Sequence, residues 1–392
     1  MSLMAEYIKR KLSPQELEEE LLKLIEQYNN HRGVYLFVYS AAISKQLPQL
    51  ALDQSDFFLI HDLLKGKSEH KKIDFYIETP GGSGEAAEEI GNFLHNNFDE
   101  VSFVISGEAK SAGTILALSG DDILMTETGS LGPIDAQMKI GRSQISAFDY
   151  SEWVNEKRKE AAAEKTLNPF DATMVAQISP GELLNVFHAL KFAEDLVIEW
   201  LPKYKFKNWL KTETRKIEVT PEMRQERAEE IAQVLTDHSK WRSHGRSLKI
   251  EDLNEINLKV INIDDDKKLA DIVYRIQTVC RMLSETTPVF KIFATKEHKI
   301  FRQAAPAGMP IPVPQAQAPA VINLEQKCPS CGKNYKFYAK IINDPQIDSD
   351  MKRQGFMPFP KDGKFKCDCR NQIDMNGIKA QIEGQTGKKI IV

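Results

Sequence analysis

Ile73-Asp74-Phe75-Tyr76-Ile77-Glu78, running into Thr79-Pro80-Gly81-Gly82-Ser83-Gly84, decides the fold when read beside Val101 to Ser106 and the Gly107-Glu108-Ala109-Lys110-Ser111-Ala112-Gly113-Thr114 that follows it. Each β-rich run ends at a glycine-bearing turn. Each turn opens a segment with helical character, Gly84 to Asn96 in the first case and the small-residue stretch Ser111 to Leu118 in the second. The same rhythm extends backwards. A helix is expected from Ser13 to Asn30 (Leu17, Leu21, Leu22 and Ile25 at helical spacing, Ser13 as N-cap, Pro14 first in the helix), a strand from Gly33 to Ser40 and a helix from Asp53 to Leu64. Strands alternating with helices give an α/β fold with a parallel sheet covered by helices, and such sheets bind ligands at the carboxyl ends of their strands.

Further along, residues 137–178 interrupt the alternation with a charged, helix-favouring stretch from Glu152 to Lys165, expected to be an insertion or lid. A helix follows from Gly181 to Leu201, with Ser179 and Glu182 placed for a capping box. Others are expected from Pro221 to Thr236, near Glu251 to Ile256 and from Leu269 to Leu283, with an apolar Val260 to Ile263 before the last. Five of the 18 prolines fall between Pro306 and Pro319 among Ala and Gln, an extended linker. The expected organisation is a domain over 1–302, a linker over 303–327 and a small β-rich domain over 328–392.

Composition bounds the function. A chain of 392 residues with 42% hydrophobic and 28% charged residues can bury a full core, and its length suits two or three domains. Its net charge of −4 is far from the basic balance of a dedicated nucleic-acid binder, so nucleic acid is not expected as a partner. No run approaches the ~18 apolar residues of a membrane span. The opening residues lack a basic region followed by an apolar stretch, so the expected compartment is the cytoplasm.

Adjacent glycines at a strand end let backbone N–H groups face a ligand, as an oxyanion hole or anion site requires, although an ordinary strand-to-helix turn has the same look. A serine at a helix N-terminus sits near free N–H groups and the positive end of the dipole, as a nucleophile or simply as a cap. The two features occur at successive strands of one parallel sheet. Their carboxyl ends are therefore expected side by side.

Together with Gly129-Ser130-Leu131-Gly132-Pro133, these motifs resemble the serine peptidases of the ClpP/crotonase fold, closest to the SppA-like branch named serine dehydrogenase proteinase. The resemblance covers about residues 30–280. It implies Ser111 as nucleophile, with an oxyanion hole from the Gly81–Gly82 pair and Ala112, and a substrate that is a peptide or protein. It also implies self-compartmentalisation, so a homo-oligomer is expected, burying the apolar face of Leu269 to Leu283. Where ClpP carries its catalytic histidine, Met125 to Gly132 holds none. SppA-like members use a lysine further along. Lys191 is the leading candidate because it shares a helical face with Leu184, Phe187, His188, Asp195 and Ile198, on which a lysine can be desolvated and its pKa lowered. His188 and His244 are the alternatives. The expected function is hydrolysis of peptide bonds through an acyl-enzyme. A crotonase-like acyl-CoA enzyme and a non-catalytic zinc-ribbon adaptor are the rival readings.

Four of the five cysteines lie late in the chain, as Cys328-Pro329-Ser330-Cys331-Gly332 and Cys367-Asp368-Cys369. Two close pairs separated by enough chain for a hairpin predict a zinc ribbon, a closed four-thiolate site that supports folding rather than hydrolysis. From Val321 onward 13 Lys plus Arg stand against 8 Asp plus Glu, a net of +5.

Overall fold

The computed structural model describes residues 2–391 apart from 46, 68, 141–142, 213, 305–319 and 387. The chain divides into two units, Met1–Ala304 and Ala305–Val392. In the first, seven strands form the central sheet: Tyr35–Ala41 (β1), Lys72–Glu78 (β2), Glu100–Ile105 (β3), Asp122–Met125 (β4), Ile261–Asn262 (β5), Val289–Ala294 (β6) and Lys299–Gln303 (β7). Their order is β7-β6-β1-β2-β3-β4-β5. β1 to β5 are mutually parallel, whereas β6 and β7 form an antiparallel pair along the β1 edge. The architecture is thus α/β with a mostly parallel sheet, and its antiparallel edge is a feature the sequence reading did not contain.

The period-two alternation of the strands divides the core. Tyr35, Phe37 and Tyr39 join Phe75, Ile77, Phe103 and Ile105 on one face, packed under helices Gln54–Leu64 (α2), Gly84–Asn97 (α3) and Ala112–Leu118 (α4). Leu36, Val38, Tyr76, Val104 and Leu124 point to the other face, against Pro14–Arg32 (α1) and Lys267–Thr286. Leu269, Ile272, Val273, Ile276 and Leu283 are buried there within the chain. This corrects one expectation: the apolar face of Leu269 to Leu283 is consumed intramolecularly by α1 and the sheet, so it offers nothing to a second copy.

The stretch expected as an insertion holds a hairpin, Gln137–Ile140 with Ser143–Ser146, then helices Ala147–Glu164 (α5) and Pro169–Val175. The hairpin is closed at its base, where the Ala147 N–H donates to the Ala136 carbonyl at 2.8 Å. The next helix, Pro180–Lys203 (α6), keeps only half of its expected capping box. The Ser179 hydroxyl accepts from the Glu182 N–H, but the Glu182 carboxylate accepts instead from the Tyr150 hydroxyl of α5. Helix Pro221–Thr236 starts at Thr220 as the Thr-Pro pair predicts.

In the second unit, Val321–Lys327 (β8) pairs antiparallel with Asn334–Lys340 (β9), and Lys364–Lys366 pairs with Gln372–Asp374. Residues 321–327 were expected in the linker and are instead a strand of this unit. Residues 305–319, the proline-rich part of that linker, lie outside the described residues. Among the described residues no helix is long and apolar enough to cross a membrane.

Candidate active site

The β2 and β3 strands end side by side, and the chain after each is fixed by backbone hydrogen bonds. After β2, the Leu52 N–H donates to the Gly81 carbonyl at 2.7 Å and the Ser83 N–H to the Leu52 carbonyl at 2.8 Å, so the glycine loop pairs as a short strand with the segment before α2. The pairing is so close that a Cβ on Gly82 would lie 2.2 Å from the Leu52 carbonyl oxygen. Gly81, at φ +110, lies against Ser111, where a Cβ would be 2.8 Å from the serine Cβ. A side chain at Gly81 would push the loop away from the serine, and one at Gly82 would push it off the Leu52 backbone.

After β3, Ser111 adopts φ 49 and ψ −117 immediately before α4. Non-glycine residues rarely hold such a conformation, which costs on the order of 1–3 kcal/mol and is found where a turn must aim a side chain. The hydroxyl does not cap the helix it precedes, which removes the reading of Ser111 as an N-cap. The Gly81 N–H is committed to Thr79 Oγ1 at 3.2 Å. Among the described residues no acceptor in the chain meets the N–H groups of Gly82 or Ala112, the second of them at the free N-terminus of α4.

These groups line a cavity of about 890 Å³ whose wall also contains Ile115, Ile134, His188, Lys191, Phe192 and His244. All three candidate bases thus reach the same cavity, but in different states. Lys191 is paired with Glu194, Nζ to Oε2 2.7 Å, with 46% of its side chain exposed. The hydrogen bond to that carboxylate, followed by its charge, raises the Lys191 pKa above the ordinary lysine value. The desolvation expected to lower it is not met at this position. His188 is an exposed ring beside Phe187.

His244 stands differently. Its Nδ1 meets Asp135 Oδ1 at 2.8 Å, and Asp135 is fully buried. The second Asp135 oxygen takes Gln137 Nε2 at 2.9 Å and His238 Nδ1 at 2.9 Å. Burial alone would raise the Asp135 pKa, but hydrogen bonding and charge from His244 and then His238 outweigh it, holding the carboxyl below its usual value. An ionised carboxylate only accepts, so His244 Nδ1 is the donor of this bond.

Sequence reading missed Asp135, which lies two residues beyond the Gly129 to Pro133 motif, and gave no role to Lys110. The Lys110 ammonium is buried and donates to the Leu131 carbonyl at 3.0 Å, the Arg246 carbonyl at 3.0 Å and Ser247 Oγ at 2.9 Å.

In the second unit, Cys328, Cys331, Cys367 and Cys369 converge, with all four Sγ atoms within 4.8 Å of one another. Cys331 and Cys367 are 3.5 Å apart, and the Tyr335 hydroxyl lies 3.1 Å from Cys367 Sγ. Four sulfur donors in this spacing can hold a metal ion.

Two uncharacterized proteins of Methanocaldococcus jannaschii, MJ0137 and MJ1495, are similar to this chain. MJ0137 is 27% identical over 198 residues, covering 50% of this chain and 56% of that protein. MJ1495 is 27% identical over 205 residues, covering 52% and 57%. The chain therefore spans a little over half the length of the curated relatives it matches. Among solved structures, a serine-to-alanine variant of the 1510-N membrane-bound stomatin-specific protease aligns with TM-score 0.32 and 14% identity, covering 57% of this chain and 79% of that one. A lysine-to-alanine variant of that protease in complex with a substrate peptide aligns with TM-score 0.32 and 15% identity, covering 55% and 71%. Residues 50–190, which contain the glycine loop, Ser111 and Asp135, match the family described as ClpP-like SDH-type serine proteinase.

Proposed function

We propose that the chain is a serine peptidase in which Ser111 is the nucleophile, His244 the general base and Asp135 the group that orients it. The observation that carries this reading is the His244–Asp135 pair opening onto the same cavity as Ser111. In the reaction, His244 Nε2 takes the proton from Ser111 Oγ as the oxygen bonds to the peptide carbonyl carbon. The developing oxyanion is held by the N–H groups of Gly82 and Ala112. His244 then returns the proton to the leaving amine as the C–N bond breaks, and water, deprotonated by the same imidazole, releases the acyl group. Asp135 keeps one tautomer and stabilises the imidazolium without itself being protonated. Lys191 forms part of the cavity wall.

A fluorophosphonate should label Ser111, and Ser111→Ala should lose both labelling and peptide hydrolysis with folding intact. Hydrolysis that survives Ser111→Ala would overturn the assignment. Turnover of acyl-CoA thioesters without labelling would favour the crotonase-like reading.

For the second unit we propose zinc, because four thiolates in two close pairs make a closed tetrahedral donor set with no position left for substrate. The purified protein should contain about one zinc per chain. Chelation should unfold strands β8 and β9 by hydrogen exchange, and an undiminished exchange protection after metal removal would count against a structural metal.

A further inference from the structure

The three proposed catalytic groups stand on three separate pieces of chain, and the side chain preceding the nucleophile touches the other two pieces. Lys110 leaves the strand end next to Ser111, crosses against Gly132, and donates to Leu131, four residues before Asp135, and to Arg246 and Ser247, just after His244. Those two pieces are also paired to each other. The Leu131 N–H donates to the Leu248 carbonyl at 3.1 Å and the Leu248 N–H to the Leu131 carbonyl at 2.9 Å. Lys249 closes the far end, its Nζ donating to the carbonyls of Thr128 and Gly129, both at 2.9 Å, and of Glu127 at 3.2 Å.

Resting on the triad reading above, we infer that Lys110 is a positioning residue that sets the His244 imidazole against Ser111 by tying the His244 strap and the Asp135 loop to the nucleophile turn. Three of the described facts are hard to read otherwise. A lysine inside a protein is costly unless its ammonium is fully used, and here all three of its N–H donors have acceptors. Two of those acceptors lie on the strap, which is otherwise exposed at residues 245–247. The third lies on the piece that carries Asp135.

The tie also carries a pH dependence. Burial pushes the Lys110 pKa down to about 8, with Glu108 acting to raise it and Lys249 to lower it further. The Arg246 guanidinium is turned away onto Trp241, 5.7 Å from the ring centroid. Above that pH the neutral amine has two donors for three acceptors, and one of the three contacts is lost.

The test is the rate of fluorophosphonate labelling of Ser111, with kcat and KM on a peptide substrate, across pH 6 to 10 (roughly the span between the ordinary imidazole and lysine values). In the unaltered protein the rate should fall above about pH 8. In Lys110→Met the rate near neutrality should drop about 100-fold, as a displaced catalytic group gives, with KM within about three-fold and the alkaline fall gone. Lys110→Arg should restore at least about ten-fold of that loss and carry the fall beyond the assay range. Ser247→Ala, an exposed change that removes one acceptor, should slow labelling several-fold and serves if Lys110→Met does not fold. Absence of labelling in the unaltered protein would sink the triad reading itself. Labelling that is normal in the unaltered protein, and equally fast with the same pH profile in folded Lys110→Met or in Ser247→Ala, would overturn the role of Lys110 alone.

Discussion

Two candidate bases line the cavity that Ser111 also lines, and the chain holds them differently. On the α6 wall, Lys191 extends from a solvated helix and shares its charge with Glu194 one turn on. Elsewhere on the cavity lining, His244 is held by a buried carboxylate, and its strap is tied at Leu248, Ser247, Arg246 and Lys249. Nearness to the cavity is common to both, whereas a fully buried carboxylate partner belongs to His244. A base must hold its orientation through the reaction, and a carboxylate behind an imidazole provides that while a carboxylate beside an ammonium only keeps it protonated.

The largest effect that would break this comparison lies on the strap wall. His244→Ala should lower kcat by about 10⁶-fold and Asp135→Asn by about 10⁴-fold, with KM little changed in each. The double variant should be no worse than His244→Ala, because the two act as a unit. Single-turnover acylation of a peptide ester by the purified variants measures all three. A fully active His244→Ala enzyme would move the base to the α6 wall, to Lys191 or His188.

What the sequence allowed follows the range of the interactions. Glycine pairs, a serine before small residues and alternating strand and helix patterns are local, and the neighbouring ends of β2 and β3 follow from parallel order. The Asp135–His244 bond spans 109 positions, interrupted by the hairpin, α5 and α6, and no periodicity links its two ends. Asp135 itself stood within two residues of a motif already noted. The apolar spacing of one face of α6 points to Lys191, yet Glu194 stands three residues away in the same sequence, at the spacing where a helix brings side chains together. The antiparallel β6–β7 edge was not foreseen because Val289 to Gln303 follows an already complete helix and strand series, and pairing with β1 depends on long-range packing of Phe293 beside Tyr39.

The smallest expected effect lies on the α6 wall and tests the comparison from its other side. Lys191→Met removes an exposed, paired ammonium, and the folding stability should fall by only about 0.2–0.5 kcal/mol at low salt, the worth of one helical ion pair. The sign of its pH dependence is set by the raised pKa: the contribution is present below the ordinary lysine range and disappears as pH climbs through the higher folded-state value. Catalysis by Lys191 would run in the opposite sense. A Lys191 base would be neutral only above the ordinary lysine value of about 10.4, so its rate would climb through that range and vanish in the methionine variant. With His244 as the base, Lys191→Met should keep kcat within about three-fold and leave the pH profile below 9 unmoved, since a cavity-wall lysine affects only how substrate is seated. A pH–rate profile for the two proteins on one peptide decides it, and an abolished rate in folded Lys191→Met would return the proton to the lysine.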